Sequence, residues 1–425
     1  MTLSFAELGV AEPLTLALAD AGHTTPTPIQ AQAIPPLLDG RDVLGIAQTG
    51  TGKTAAFLLP IMSRLLAEPK PNPKRGAKVL VLAPTRELAQ QISDAFKLYA
   101  QKHTRLWQAV IVGGVPQSRQ ERAMARGVDL LVATPGRLLD LVDQGAVRLD
   151  AVETLVLDEA DRMLDMGFAP AMKRIAALIR AEQRHTILFS ATMPKAVDAL
   201  AAELLNEPVR CEIKAETISV ERIEQQVHMV PQAKKRAFLT DLLANPALAR
   251  VILFTRTKHG ADRVCEHLER GGIDAEAIHG NKAQGARQRA LKRFRAGEAR
   301  VLVATDIAAR GIDVPGVTHV INFDLPVEVE TYVHRIGRTA RAGCEGIAIS
   351  LCDPAETKQL EAIRRYVERK GEPEPVRHAR SGGPRRGQGR PAGHAKPGGK
   401  PWKAGERDGR RPQRQPRRGD RAAVI

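Results

Sequence analysis

A lysine and a threonine closing a glycine-rich run, Ala47-Gln48-Thr49-Gly50-Thr51-Gly52-Lys53-Thr54, are suited to phosphate chemistry. An apolar run, Val43-Leu44-Gly45-Ile46, precedes them, and a helix-forming run, Ala55-Ala56-Phe57-Leu58-Leu59, follows. A strand, a tight glycine turn and a helix N-terminus aim several backbone N–H groups at one point, where an anion is stabilised. Gly50 and Gly52 let the backbone close on phosphate oxygens, Lys53 can reach the β- and γ-phosphates, and the Thr54 hydroxyl suits Mg²⁺. The general phosphate-loop pattern opens with Gly, where this chain has Ala47. A second stretch, Asp158-Glu159-Ala160-Asp161, follows the apolar Leu155-Val156-Leu157. A strand ending in an acidic pair is what a metal-assisted phosphate reaction needs beside a phosphate loop.

These groups need a scaffold that brings distant loops together, and one rhythm along the chain supplies it. A short apolar run is followed by a polar tail at Val79–Leu82 before Pro84-Thr85-Arg86, at Leu130–Val132 before Thr134-Pro135-Gly136-Arg137, and at Ile187–Phe189 before Ser190-Ala191-Thr192. Continuous apolar runs fit parallel strands buried on both faces, with helices between them. Ligands of such sheets bind outside the carboxyl ends of the strands, where each polar tail falls. The stretch from 1 to about 39 reads as amphipathic helix interrupted at Thr25-Pro26-Thr27-Pro28. Near Asn206-Glu207-Pro208 the rhythm stops. A second series begins after a polar connector and contains Val251–Phe254, Val301–Val303, Val320–Phe323 and Ile347–Leu351. The expected fold is α/β: two tandem doubly wound parallel-sheet domains, at 1–208 and 225–371, joined by a linker at 209–224. A basic tail follows at 372–425.

The chain carries a formal net charge of +16, of which the stretch from Gly371 onwards holds +10, with fifteen Lys/Arg against five Asp/Glu. A polyanionic partner is favoured from the start. That stretch is dominated by Gly, Pro, Arg and Gln, too poor in apolar residues to offset ordering entropy, so it is expected to be disordered and to bind polyphosphate. Cys211, Cys265, Cys344 and Cys352 show no C-x-x-C spacing and read as reduced structural thiols. With no apolar run of about 18 residues and no signal-peptide pattern, a cytoplasmic protein is expected.

Taken in order, these motifs resemble the DEAD-box ATP-dependent RNA helicases of superfamily 2, over Phe5 to about Arg369; Ile278-His279-Gly280-Asn281-Lys282 is similar to the bacterial RhlE-type subgroup. The resemblance implies RecA-like domains, ATP and Mg²⁺ as cofactors, RNA as partner, and a monomeric core with possible ribosomal or RNA-decay protein partners. It implies an RNA-stimulated ATPase that separates short duplexes locally. In Pro26-Thr27-Pro28-Ile29-Gln30, Gln30 would read adenine, since an amide offers a donor and an acceptor together. Phe5 would stack near the base, and His23 stands where the family has Tyr or Phe. Asp158 would hold Mg²⁺ through water and Glu159 would handle the attacking water. Asp161, Ser190, Thr192 and His334 would couple the domains. In His334-Arg335-Ile336-Gly337-Arg338-Thr339-Ala340-Arg341, Arg338 and Arg341 would act as arginine fingers one helical turn apart. Ala340 replaces the family's Gly and is expected to be tolerated. Gly311 and Asp313 match the ribose-contacting motif.

RNA contacts would come from Pro84, Thr85, Arg86, Gly113, Gly114, Thr134, Arg137, Arg256, Thr257, His279, Gly280 and Thr305. These are Gly, Thr and Arg groups at loop tips, with no run of aromatic stackers. Weak sequence preference and strong salt dependence follow. Two other readings stay open: an RNA-annealing chaperone dominated by the tail, and a DNA-directed superfamily 2 translocase.

Overall fold

The apolar runs form two all-parallel sheets within one compact unit spanning 1–374. The computed structural model describes residues 3–48, 50–100, 104–179, 184–213, 223–309, 314, 316–340 and 346–368. Thr49, Gly311, Asp313, Arg341, Cys344 and the basic tail lie outside them. The first sheet comprises β1 (Val43–Ile46), β2 (Ala77–Leu82), β3 (Gln108–Ile111), β4 (Val128–Ala133), β5 (Thr154–Leu157), β6 (His185–Ser190) and β7 (Val209–Glu212), in the order β3-β4-β2-β5-β6-β1-β7. The second comprises β8 (Ile223–Met229), β9 (Val251–Phe254), β10 (Ala275–Ile278), β11 (Val301–Ala304), β12 (His319–Asn322) and β13 (Gly346–Cys352), in the order β10-β11-β9-β12-β13-β8.

Successive side chains of a strand point to opposite faces. Val79 and Val81 therefore join one apolar core of the first sheet, with Val156, Ile187 and Phe189, while Leu80 and Leu82 join the other, with Leu155 and Leu188. Both faces are covered by helices, as parallel pairing requires. No helix among the described residues is long and apolar enough to cross a membrane. Cys211, Cys265 and Cys352 are buried and free, and burial pushes the Cys265 thiol up to about 12.

The expected linker is shorter at both ends. β7 pairs with β1 from Val43↔Val209 to Ile46↔Glu212, because Cys211 points into the core and the flanking residues face outward on an edge strand. β8 pairs with β13 from Ile223, where the Ile223 side chain is buried. The N-terminal stretch forms the helices Glu12–Asp20 and Pro28–Leu38, broken where the Thr-Pro-Thr-Pro run stands.

The strand order places three chemical motifs side by side. β5, β6 and β1 are neighbours; the acidic motif leaves β5, Ser190-Ala191-Thr192 leaves β6, and the phosphate loop leaves β1. Close pairing here depends on Gly45. A Cβ at Gly45 would stand 2.1 Å from Cε1 of the fully buried Phe189. Gly45→Ala should therefore cost about 1–3 kcal/mol, as overpacked cores do. A lowered urea midpoint at unchanged slope is the expected result; an unchanged midpoint would contradict the packing.

Candidate functional site

Gly52 caps the helix Lys53–Ala67 with φ of 93°, and Gly50 has φ of 91°, a left-handed backbone that favours glycine. Gly52 has a second reason to lack a side chain: a Cβ would lie 2.5 Å from Gln30 Nε2. Ala47 shows no positive φ and its side chain is 1% exposed, so the position does not need the usual glycine. Lys53 Nζ donates to the Ala47 carbonyl at 2.8 Å, and the Thr51 hydroxyl donates to the Gln48 carbonyl at 2.8 Å. Thr54 sits half-buried in the first turn of the helix.

Gln30, expected to read adenine, is hydrogen-bonded at both ends of its amide. Gln30 Nε2 donates to the Gly52 carbonyl at 3.1 Å while Oε1 accepts from Thr27 N at 2.8 Å. Both ends of this buried amide tie the helix start to the phosphate loop. Phe5 is 5% exposed and packs in the first core. His23 is exposed.

Asp158 is 2% exposed, and its Oδ1 has no hydrogen-bond partner. Burial raises this carboxyl to about 7; Lys53 pulls it down, and Glu159 pushes it up. An orphaned buried carboxylate oxygen under the influence of a phosphate-loop lysine fits a divalent cation that shares its ligands with phosphate. Glu159 has φ of 54° and ψ of 51° and caps the short helix Ala160–Asp165. Such strain is of order 1–3 kcal/mol. Its carboxylate is paired with Arg162 at 3.0 Å. Asp161 Oδ2 accepts from Ala191 N at 3.2 Å, Thr192 N at 3.0 Å and the Thr192 hydroxyl at 2.9 Å. The Ser190 hydroxyl donates to the Thr192 carbonyl at 2.7 Å, so the ends of β5 and β6 form one bonded unit.

In the second sheet's layer Arg338 lies beyond the end of its helix, while Arg341, its expected partner, lies outside the described residues. The helix Val329–Ile336 stops at Gly337, and Arg338 and Thr339 continue as a turn held by backbone bonds to Arg335 and Ile336. Ala340 then takes φ of 55°. The methyl group expected to be innocuous thus sits in a left-handed backbone, at a cost its Gly counterpart would not bear. Thr339 Oγ1 anchors this turn to the Val317 carbonyl at 2.7 Å, and Arg338 is 6% exposed. His334 is exposed.

Arg335 was not singled out by its sequence context, yet it organises this region. It is 2% exposed and donates to both Asp306 carboxylate oxygens, to Asn322 Oδ1 at 3.1 Å and to the Asp324 carbonyl at 2.7 Å. Its guanidinium also stands 5.0 Å from the Phe254 ring centroid. An Arg locked between Asp306 and the end of β12 is better suited to positioning Arg338 than to meeting a ligand.

The loops expected to meet RNA all lie at the carboxyl ends of strands or the helix starts that follow. Pro84 and Thr85 are buried, and Thr85 Oγ1 accepts from Leu88 N at 3.2 Å. Arg86 runs beside Gly113 and Gly114; a Cβ at Gly114 would meet Arg86 Nη1 at 2.3 Å. Thr134 caps the helix Pro135–Asp143, and Arg137 is paired with Asp140. Arg256 is paired with Glu356, and Thr257 caps the helix Lys258–Arg270 by accepting from Gly260 N at 3.0 Å. His279 is buried against Asp262 at 2.9 Å, Gly280 is exposed, and Thr305 follows β11.

A contact between the two sheet layers escaped sequence reading. Arg287 pairs with Glu87 at 2.9 Å, both nearly buried, while Gln284 bonds Glu87 at 3.3 Å and Arg86 at 3.5 Å. The i,i+3 placement of Gln284 and Arg287 on one helix puts them on one face, but nothing local names their partner.

Comparison with known proteins agrees with this geometry. Residues 27–200 match the DEAD/DEAH box helicase family and residues 234–343 the helicase conserved C-terminal domain. The chain is 47% identical to the ATP-dependent RNA helicase SrmB of Escherichia coli over 369 residues, 86% of this chain and 82% of that protein. It is 45% identical to the DEAD-box ATP-dependent RNA helicase CshA of Geobacillus kaustophilus over 371 residues, 87% of this chain and 78% of that protein. The structure of S. cerevisiae Dbp5 bound to RNA and ADP BeF3 is similar, with a TM-score of 0.75 at 33% identity, covering 85% of this chain and 93% of that one.

The raised Asp158 carboxyl has a consequence for stability. A carboxyl raised by folding contributes full stability below its unfolded range and loses it as pH climbs through about 7. Without ligands, Asp158→Asn should therefore be more stable than the parent above pH 7, the gap shrinking as pH falls towards the ordinary carboxylate range. Denaturant unfolding across that range checks it; a gap that does not change with pH would contradict the burial account.

Proposed function

The chain belongs to the DEAD-box ATP-dependent RNA helicases, and from that premise we propose that it couples RNA-stimulated ATP hydrolysis to local, non-processive unwinding of short RNA duplexes and remodelling of RNA–protein complexes. Its two sheets are the two RecA-like domains of that family. The observation that carries the reading is the grouping of Lys53, Asp158 and Asp161-Thr192 at the ends of three adjacent strands. Buried chemistry of this kind needs fixed charges aimed at a phosphate, with little covalent work for the protein.

In this reading Lys53 and the N–H groups of the phosphate loop hold the ATP phosphates. Asp158 and Thr54 would hold Mg²⁺, which neutralises phosphate charge when bound. Glu159 leaves Arg162 to orient and deprotonate the attacking water. Arg338 and Arg341 meet the developing charge from the second domain. Gln30 reads the adenine edge and also ties the helix start to the phosphate loop, Phe5 stacks near the base, and Gly311 and Asp313 contact the ribose. Asp161, Ser190, Thr192 and His334 carry closure between the domains. The Gly, Thr and Arg loops, from Pro84 and Arg86 to Thr305, hold one RNA strand through phosphates and 2′-OH groups. The basic tail keeps RNA near the clamp, an effective-concentration effect. A role in ribosome assembly or RNA decay, in the cytoplasm, and membership of the RhlE-type subgroup belong to the same proposal.

The test is Glu159→Gln measured beside the parent. The parent's ATP turnover should rise on adding RNA, while the variant should keep ATP and RNA binding and lose turnover by about 10²-fold or more, as loss of a general base does. Parent-like turnover in the variant would remove Glu159 from the chemistry.

A further inference from the structure

A second cleft, of about 410 Å³, shares no lining residue with the phosphate loop. Its walls carry Arg86 and Lys97 from the helix Arg86–Ala100, Arg119 from the helix Gln117–Met124, and Gln284 and Gln288 from the helix Gln284–Ala296 of the second domain. Residues of β3, the edge strand of the first sheet, also line it. Three cations line this cleft and no carboxylate does. Lys97 stands 3.6 Å from Asp94, but both are about half exposed, so solvent screens that pair. Arg119 and Gln288 are exposed and make no side-chain hydrogen bond with described residues. The combined field attracts an anion.

The shape and the donor set narrow the ligand. Pockets that hold a small ligand whole start at about 300 Å³, so the cleft has room for roughly one nucleotide and not for a base pair. Glutamine amides offer donor and acceptor together, which suits a base edge or a 2′-OH; a bare phosphate would use the donors alone. Arg86 both lines the cleft and runs beside Gly113 and Gly114, so the cleft adjoins a loop already assigned to RNA. On the far wall, Gln284, Gln288 and Lys292 recur every four residues along one helix and carry the polar path onward.

We propose that this cleft takes one flanking nucleotide of the bound RNA strand, its phosphate on Lys97 and Arg119 and its base or ribose edge on Gln288. The assignment rests on the RNA-helicase reading. One wall comes from the second domain and is held to the first by Glu87–Arg287 and Glu87–Gln284. A nucleotide lodged there therefore favours the docked arrangement and extends the strand held by the clamp.

The experiment measures the affinity of the full chain for oligouridylates of increasing length, with a non-hydrolysable ATP analogue, at several salt concentrations. Parent affinity should rise by a discrete step when the oligomer becomes long enough to enter the cleft. The double variant Lys97→Glu, Arg119→Glu should bind the shortest oligomers as the parent does and lose that step, about tenfold, the scale of one well-held nucleotide. Its salt slope on long oligomers should fall by about 0.7, one phosphate. Gln288→Ala, which changes no charge, should shrink the step and leave the slope alone. An equal loss at every length would show a general charge effect, and an unchanged step in both variants would show that no nucleotide enters; either result overturns the assignment. Absence of RNA-stimulated turnover in the parent would instead sink the helicase reading itself, so the two failures are distinguishable.

Discussion

A parallel strand cannot be joined to its neighbour by a hairpin, and that constraint shapes everything this chain does. Each crossover must travel back through a helix, so every strand ends on the same edge of its sheet and both faces become core. In the first sheet this puts the phosphate loop, the acidic motif and Ser190-Ala191-Thr192 on adjacent strands although they are far apart in sequence. In the second it gathers Thr257, His279, Thr305 and the Arg335 ligands in the same way. The chemistry is local to one edge because the backbone pairing leaves no other place for the loops to go.

On that edge the charges are buried and each has a different settlement. Asp161 is satisfied by three donors from Ala191 and Thr192. Arg335 is satisfied by Asp306, Asn322 and the Asp324 carbonyl. Arg287, whose pKa is lowered chiefly by burial, is held by Glu87 across the two layers. Asp158 keeps an orphaned carboxylate oxygen and a carboxyl raised to about 7, and Arg287 Nε is also without a partner although its guanidinium is paired with Glu87. Satisfied buried charges fix geometry, and truncating one partner is costly because the other is left unpaired. The orphaned Asp158 oxygen, beside the phosphate-loop lysine, is the one whose chemistry fits a bound cation.

Much of this was legible in the sequence, for identifiable reasons. Uninterrupted runs such as Leu155-Val156-Leu157 announce strands buried on both faces, and the polar residue after each run announces a strand end. Linker ends were less legible, because β7 and β8 are edge strands whose exposed residues look like connector. The bond of Gln30 to Gly52 and the packing of Phe5 in the first core are tertiary contacts that residue type does not announce. The strain at Ala340 and the turn at Gly337 are backbone conformations that side-chain pattern does not encode. Arg287 and Glu87 are separated by two hundred residues, and neither carries a local sign of the other.

In the proposed function ATP and RNA share one free-energy change, the docking of the second domain on the first through contacts such as Glu87–Arg287. The most direct test of that sharing measures RNA affinity with and without a non-hydrolysable ATP analogue, and analogue affinity with and without RNA, in the parent and in Arg287→Ala. Linkage requires the two factors to be equal, and typical couplings are roughly 5–150-fold. The account predicts a common factor well above one in the parent that falls in the variant. RNA and analogue binding independently in the parent, or a coupling untouched by loss of Arg287, would contradict it.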